Sequence, residues 1–413
     1  MQDFEKKITQ YAELAVKTGI NIQPEQTLVI NASTQSIPFV RQVVEQAYLA
    51  GARHVHVDWS DDGLTLTKFQ HAPEEALDEF PTWKVRAYEQ LAEEGAAFMN
   101  IVAPNPELLK DIDSKKVARA RKASSKALEK YTDARMNDKV SWTIVATPTP
   151  EWAAKVFPNE TEEKAIERLW EQIFQVNRLN EDDPVKAWET HNDKLHEKAD
   201  FLNDAQFEAL IYKGPGTDLV LELPKGHRWL SAASTNDNGH SFMPNMPTEE
   251  VFTMPKRDGV HGTVTSTKPL HYGGTLIENF SFTFEDGKVV DVKAEKGLDT
   301  LKELLDTDEG AKRLGEVALV PHDSPISQSN IIFFNTLFDE NASCHIALGT
   351  AYPFTIEGGK EMTKDELKEH GANVSMTHVD FMIGSEHLNI DGKKADGTLV
   401  PLFRDGNWAD DIS

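Results

Sequence analysis

Two rhythms of apolar positions divide the chain. In the first half, apolar residues at three- and four-residue spacing alternate with short runs of β character. Phe4, Ile8, Tyr11, Ala12 and Ala15 share a helical face that stops at Gly19. Thr27 to Asn31 reads as a strand, Ile37 to Leu49 as a helix ended by Gly51, and His54 to Trp59 as a strand with strict alternation. Val85, Tyr88, Leu91 and Ala92 mark another helix, which stops at Gly95. Ala97 to Val102 and Val140 to Ala146 read as strands on either side of a long helical region, Pro106 to Arg135. Glu160 to Phe174 is amphipathic, with Ile166, Leu169, Trp170 and Ile173 on one side. Parallel strands need crossover connections of this length, so residues 1–204 are expected to form an α/β domain with a parallel sheet. The pattern does not set the strand order.

From residue 205 the rhythm shortens. Leu210 to Tyr212 and Leu219 to Leu223 flank Gly214-Pro-Gly216, a stretch too short for a phosphate loop. Phe280 to Phe284 and Val289 to Val292 flank Glu285, Asp286 and Gly287, a hairpin signal. One helix, Leu298 to Arg313, interrupts; strands Val317 to Val320, His345 to Leu348 and His378 to Ile383 follow. Residues 205–413 are therefore expected to form a mostly antiparallel α+β domain.

Composition narrows the functional classes. The 413 residues carry 68 Asp and Glu against 43 Lys and Arg, a formal charge of −25. Such a surface excludes nucleic acid and an anionic membrane as expected partners, and otherwise serves solubility. Cys344 is the single cysteine, so no internal disulfide and no cysteine zinc cage can form. The N-terminus lacks the apolar core of a signal peptide, and no apolar run approaches the ~20 residues that span a bilayer. A cytoplasmic protein is expected.

Several polar patterns compete for the chemistry. His54, His56 and Asp58 share one strand face, either as a metal grip or as a solvated, hydrogen-bonded row. Lys115 to Arg135 holds eight basic residues against Glu129 and Asp133, and reads either as a solvated helix face or as a dock for an anionic partner. In the second half, His378 and Asp380 stand two apart on an apolar strand and must point the same way, which favours a divalent cation as their partner. His345 heads the apolar run Ile346 to Leu348, and Glu316 opens Val317 to Val320. Taken singly, each is also compatible with an exposed edge, a hydrogen-bonded core histidine or simple packing.

The order of these segments carries more. Asn245-Met-Pro-Thr-Glu-Glu250-Val-Phe-Thr253, then Glu340-Asn-Ala-Ser-Cys-His345-Ile-Ala-Leu-Gly349, then Ala351-Tyr-Pro353, then His378-Val-Asp-Phe-Met-Ile-Gly384 resembles the M29 family of metallo-aminopeptidases, over essentially the whole chain. The resemblance implies a cytoplasmic homodimer that releases N-terminal residues from short peptides, using hydroxide activated by two divalent metals in the C-terminal domain. The implied metal ligands are Glu250, Glu316, Glu340, His345, His378 and Asp380. Tyr352 is implied as catalytic, and Glu249 is offered as a base or as an anchor for the substrate ammonium. Of the Glu249–Glu250 pair the second is taken as ligand, because adjacent strand residues point oppositely. Four carboxylates cancel two divalent ions, and a sulfur-free set suits zinc, cobalt, manganese or magnesium. The alternatives are another metal-dependent amide or ester hydrolase, and a non-catalytic metal-dependent peptide-binding protein.

Overall fold

A computed structural model describes residues 2–273 and 275–412. They form two compact units: one runs up to His191 and takes in Ala233–Pro247, the other joins Asn192–Ala232 to the chain from Thr248 onward. The sequence pattern had placed a single break between residues 204 and 205.

In the first unit, strands β1 (Thr27–Ser33), β2 (His54–Ser60), β3 (Ala97–Val102) and β4 (Trp142–Ala146) form a parallel sheet in the order β2-β1-β3-β4. Leu28, Ile30, Phe98, Met99 and Val145 are buried along it. The helix Glu162–Val176 buries Ala165, Leu169, Ile173 and Phe174, which reflects its period of apolar residues. The long helical region is shorter than expected. It begins at Ser114, where the Asp113 carboxylate accepts the Lys115 N–H at 2.9 Å, and divides into Ser114–Ala127 and Glu129–Met136. Ala233–Pro247 belongs to this unit because Asn245 bridges Ile144 in parallel; the Ile144 N–H donates to the Pro244 carbonyl at 2.8 Å and the Met246 N–H to the Ile144 carbonyl at 3.0 Å.

His54 and His56 are exposed, and neither belongs to a metal-ligating group among the described residues. Asp58 pairs with Lys84 at 2.5 Å and accepts from the Tyr88 hydroxyl at 2.9 Å. In the basic stretch, three of the eight basic residues, Lys116, Arg119 and Lys130, are paired with Glu74, Asp78 and Glu93 of the same unit.

The second unit is mostly antiparallel. An eight-stranded sheet includes the expected hairpin, Ser281–Glu285 with Lys288–Lys293, whose turn residues Asp286 and Gly287 have φ of 47° and 73°. Two successive left-handed residues match the right-handed twist of a two-residue hairpin. A second, four-stranded sheet orders His378–Met382, His345–Gly349, Leu314–Leu319 and Val251–Thr253, every pair antiparallel. One face is apolar: Ile346, Leu348 and Phe381 are buried, and the Phe381 ring lies 5.5 and 5.2 Å from Phe280 and Phe282 of the larger sheet. Among the described residues, no helix is long and apolar enough to cross a membrane.

Candidate metal centre

The other face of the four-stranded sheet carries the chemistry. Register places Glu316 beside Ala347 and Ala347 beside Asp380, in one row across three strands. His345 lies two residues from Ala347, and His378 two from Asp380, so alternation turns all four ionisable side chains to the same side. The alanine leaves room between them. A bulge between Leu314 and Glu316 sets the aim of Glu316. Gly315 makes that bulge possible, because a Cβ there would stand 2.3 Å from the Gly349 carbonyl oxygen.

The result is two tight groups that share a residue: Glu250, Glu316 and His345, and Glu316, His378 and Asp380. Nε2 of His345 stands 3.1 Å from Glu250 Oε2 and 3.6 Å from Glu316 Oε1. Nε2 of His378 stands 3.3 Å from Glu316 Oε2 and 3.4 Å from Asp380 Oδ1. Glu316 thus turns one oxygen to each imidazole. The opposite ring nitrogens face carbonyls, His345 Nδ1 to Ser343 at 3.2 Å and His378 Nδ1 to Thr350 at 2.8 Å. A carbonyl only accepts, so each Nδ1 carries a proton and each Nε2 is the nitrogen left for coordination.

Three observations test whether this cluster fits a cation. First, Glu250 Oε2 and Asp380 Oδ1 are buried without a hydrogen-bond partner, although an imidazole nitrogen stands beside each. The nitrogens lie close to these oxygens without being aimed at them, as donors around a common cation are. Second, two ligands of a tetrahedral ion, each about 2.0–2.2 Å from it, stand roughly 3.3–3.6 Å apart. Third, the electrostatics call for positive charge. Burial alone would lower the pKa of both imidazoles, but Glu250 and Glu316 hold His345 well above its ordinary value, and Asp380, Tyr352 and Glu316 do the same for His378. Burial would raise Glu316, yet the two imidazoles pull it down to about 2. Protons here occupy the role that a cation would fill, and the residues fit a divalent metal.

The remaining candidates fall around this core. Glu340 opens the turn Glu340–Ala342 and joins neither tight group; burial and the charges of Asp380 and Glu250 raise its pKa well above the usual range, which places it in the same field. Glu249 is buried, with its backbone N–H donated to Asn341 Oδ1 at 2.8 Å, and it too lies outside the groups. Tyr352 stacks on Phe354 at 5.1 Å and meets the His378 ring at 5.0 Å. Burial raises its hydroxyl pKa further above neutrality, so it is a neutral donor. Asn341 and Asn373 were not singled out by sequence reasoning. The first anchors Glu249; the second donates to the Gly310 and Gly349 carbonyls at 2.8 and 2.6 Å and ties down the end of the His345 strand. Asn341 follows Glu340 in the recognised motif, whereas nothing local marks Asn373. Cys344 is buried, and burial pushes its thiol up to about 12, which leaves it unreactive at neutral pH.

A sulfur-free cluster of carboxylates and imidazoles on an antiparallel sheet, in a chain that also carries an α/β unit, fits a metal-dependent hydrolase. Residues 4–408 match the family described as Thermophilic metalloprotease (M29). The chain belongs to this M29 family of metal-dependent peptide hydrolases. It is 57% identical over 409 residues to aminopeptidase AmpS of Bacillus subtilis (strain 168), covering 99% of this chain and 100% of that one. It is 55% identical to aminopeptidase 2 of Geobacillus stearothermophilus over the full length of both. The solved structure of wild-type AmpT from Thermus thermophilus superposes with a TM-score of 0.93 at 44% identity, covering 98% of this chain and 100% of that one.

Proposed function

We propose that the protein is an aminopeptidase that releases N-terminal residues from short peptides, with two divalent ions in one site. The observation that carries the two-ion reading is the pair of groups sharing Glu316, whose oxygens face separate imidazoles at 3.6 and 3.3 Å. The aminopeptidase reading draws on the names of the full-length relatives. Glu250 and His345 would hold one ion, His378 and Asp380 the other, with Glu316 between them and Glu340 completing the charge. Zinc, cobalt, manganese and magnesium all suit such donors. When bound, divalent ions polarise the scissile carbonyl and lower the pKa of an attacking water toward ~7.

The chain's own residues supply the rest. Tyr352 keeps its proton and donates a hydrogen bond to the developing oxyanion or the leaving amine. Glu249, fixed through its backbone by Asn341, acts as a base or holds the substrate ammonium. The reading extends to a cytoplasmic homodimer whose catalytic domain is residues 205–413. Its support is the family resemblance together with the single buried cysteine.

Metal analysis of purified protein, joined to hydrolysis of aminoacyl-p-nitroanilides before and after chelation, tests the function. Absence of metal together with chelator-insensitive or absent cleavage would overturn it. Two substitutions sort the roles. Tyr352→Phe is expected to lower kcat by about 10²–10³-fold, the usual cost of an oxyanion donor, while a competitive peptide still binds. Equal losses in kcat and in peptide binding would remove Tyr352 from the chemistry. Glu249→Gln is expected to cut kcat/KM by roughly 10²-fold or more, and unchanged turnover would withdraw Glu249.

A further inference from the structure

Strand β2 is an open edge of the parallel sheet. It pairs with β1 from Thr27↔His54 to Ser33↔Ser60, and among the described residues no strand pairs with its other side. Edge strands are usually blunted by a bulge, a proline or a covering segment. Here the pairing with β1 runs without a bulge, the strand holds no proline, and none of its seven residues is buried. The apolar groups around it are open as well. Trp59, Tyr48 and Leu49 are 43, 50 and 74% exposed, and the helix Asp62–His71 that follows the strand buries none of its residues. Apolar exposure gathered around one edge marks an interaction surface.

One contact gives the direction of the free backbone groups. The Val55 N–H points away from β1, to the Tyr48 hydroxyl at 3.3 Å. Successive residues of a strand turn their N–H and C=O to alternate edges, so Val55, Val57 and Trp59 all present theirs outward. The sequence His54-Val-His-Val-Asp-Trp-Ser60 is complementary to its own reverse about Val57. An antiparallel second copy sets Val57 against Val57, Val55 against Trp59 and His56 against Asp58, with Arg53 against Asp61 just beyond the strand. Val55 with Trp59 is a β-branched and aromatic pair, and His56 with Asp58 falls at the non-hydrogen-bonded position, where side chains approach most closely. Centring the pair on Asp58 would oppose two carboxylates, and centring it on His56 would oppose two imidazoles. Asp58 is prepared for the contact: Tyr88 and Lys84 both engage its Oδ2, at 2.9 and 2.5 Å, which leaves Oδ1 to accept from an imidazole.

We infer that β2 is a self-pairing edge, through which two copies of this chain join their four-stranded sheets into one eight-stranded sheet about a two-fold axis at Val57. The inference rests on the homodimer reading above and adds the surface that makes the dimer. A two-fold interface uses the same patch on both subunits, as a segment complementary to its own reverse requires. The Val55 N–H exchanges its long contact with Tyr48 for a backbone carbonyl of the second copy.

Light scattering of the full, metal-loaded chain over a concentration series tests this. The wild type is expected to show twice the 46.2 kDa of one chain. Val57→Pro removes the outward N–H at the axis, a change that an edge strand tolerates, and should give the single-chain mass. His56→Asp opposes two carboxylates and should weaken dimerisation about 10-fold, and the double variant His56→Asp with Asp58→His restores opposite partners and should recover most of that loss. Val57→Cys gives a readout independent of mass. The two Cα atoms of a hydrogen-bonded antiparallel pair stand about 5.5 Å apart, within reach of a disulfide, so oxidation should link two copies. Ser60→Cys, which faces His54, should not link, and the native Cys344 is buried. Circular dichroism checks the folding of each variant. If folded Val57→Pro keeps the dimer mass, or Val57→Cys does not link, the interface is wrong while the homodimer stands. Should Val57→Pro not fold, equal dimerisation of the single and double charge variants overturns the interface instead. A wild type with the single-chain mass at every concentration overturns the homodimer reading and the interface with it.

Discussion

Glu316→Gln is expected to abolish peptide hydrolysis and to remove bound metal from the whole site, not from half of it. The carboxylate stands between both imidazoles, with one oxygen 3.6 Å from His345 Nε2 and the other 3.3 Å from His378 Nε2. An amide keeps the shape but offers one acceptor oxygen, carries no charge, and presents an NH₂ to the second position. Outer partners of metal ligands already cost about 10–100-fold in affinity or activity, so the loss for a shared ligand should exceed ~100-fold. The metal-free protein gives a second, independent readout. Glu316 is a cause of the raised pKa of both histidines, so histidine NMR titration of the variant should show both values falling together. If one ion remains bound at wild-type affinity, or only one histidine moves, Glu316 serves a single position and the shared-site reading fails.

What the sequence disclosed about this site divides by range. His378 and Asp380 were legible because a strand fixes i and i+2 on one face, whatever the fold around them. The α/β half was legible for the same local reason, since helical and strand periods alternate along it. The shared position of Glu316 was not. It depends on the pairing row Glu316–Ala347–Asp380 and on the bulge at Gly315, both set by strands far apart in the chain. Its place at the start of Val317 to Val320 brought Glu316 forward as a candidate, and the resemblance then implied it as a ligand. The order β2-β1-β3-β4 and the return of Ala233–Pro247 to the first unit are likewise decisions of tertiary pairing. The helix Asp62–His71 escaped for the opposite reason: none of its residues is buried, so no apolar period marks it. Phe334 fits this division, because a left-handed backbone at a phenylalanine contradicts local preference and exists only through the grip of Asp339.

Removing the metal is expected to end hydrolysis and to lower thermal stability by an amount that grows with pH. In the metal-free chain the carboxylates raise the pKa of His345 and His378 well above the ordinary value. A raised folded-state value means that protonation stabilises the fold. That contribution is complete below the unfolded histidine pKa of about 6.5 and is lost as pH rises through the folded values. Metal requires both Nε2 atoms without protons, so binding expels them, and affinity should climb about 10-fold per pH unit for each proton released. Stabilisation by a bound ion follows its affinity, about 2.7 kcal/mol at a free concentration of ~100 Kd. The two trends add, so the Tm gap between loaded and stripped protein should widen between pH 6 and pH 8. Glu316 works at the other end of the scale. Its value of about 2 keeps it ionised where an unfolded glutamate is half protonated, near 4.3, and its stabilising contribution disappears only as pH falls toward 2. Calorimetric titration of stripped protein with zinc or manganese, in buffers of differing ionisation enthalpy, counts the released protons directly. Proton release near zero, with a Tm gap flat in pH, would show that the imidazoles are already neutral and that the cluster does not use protons in place of the cation.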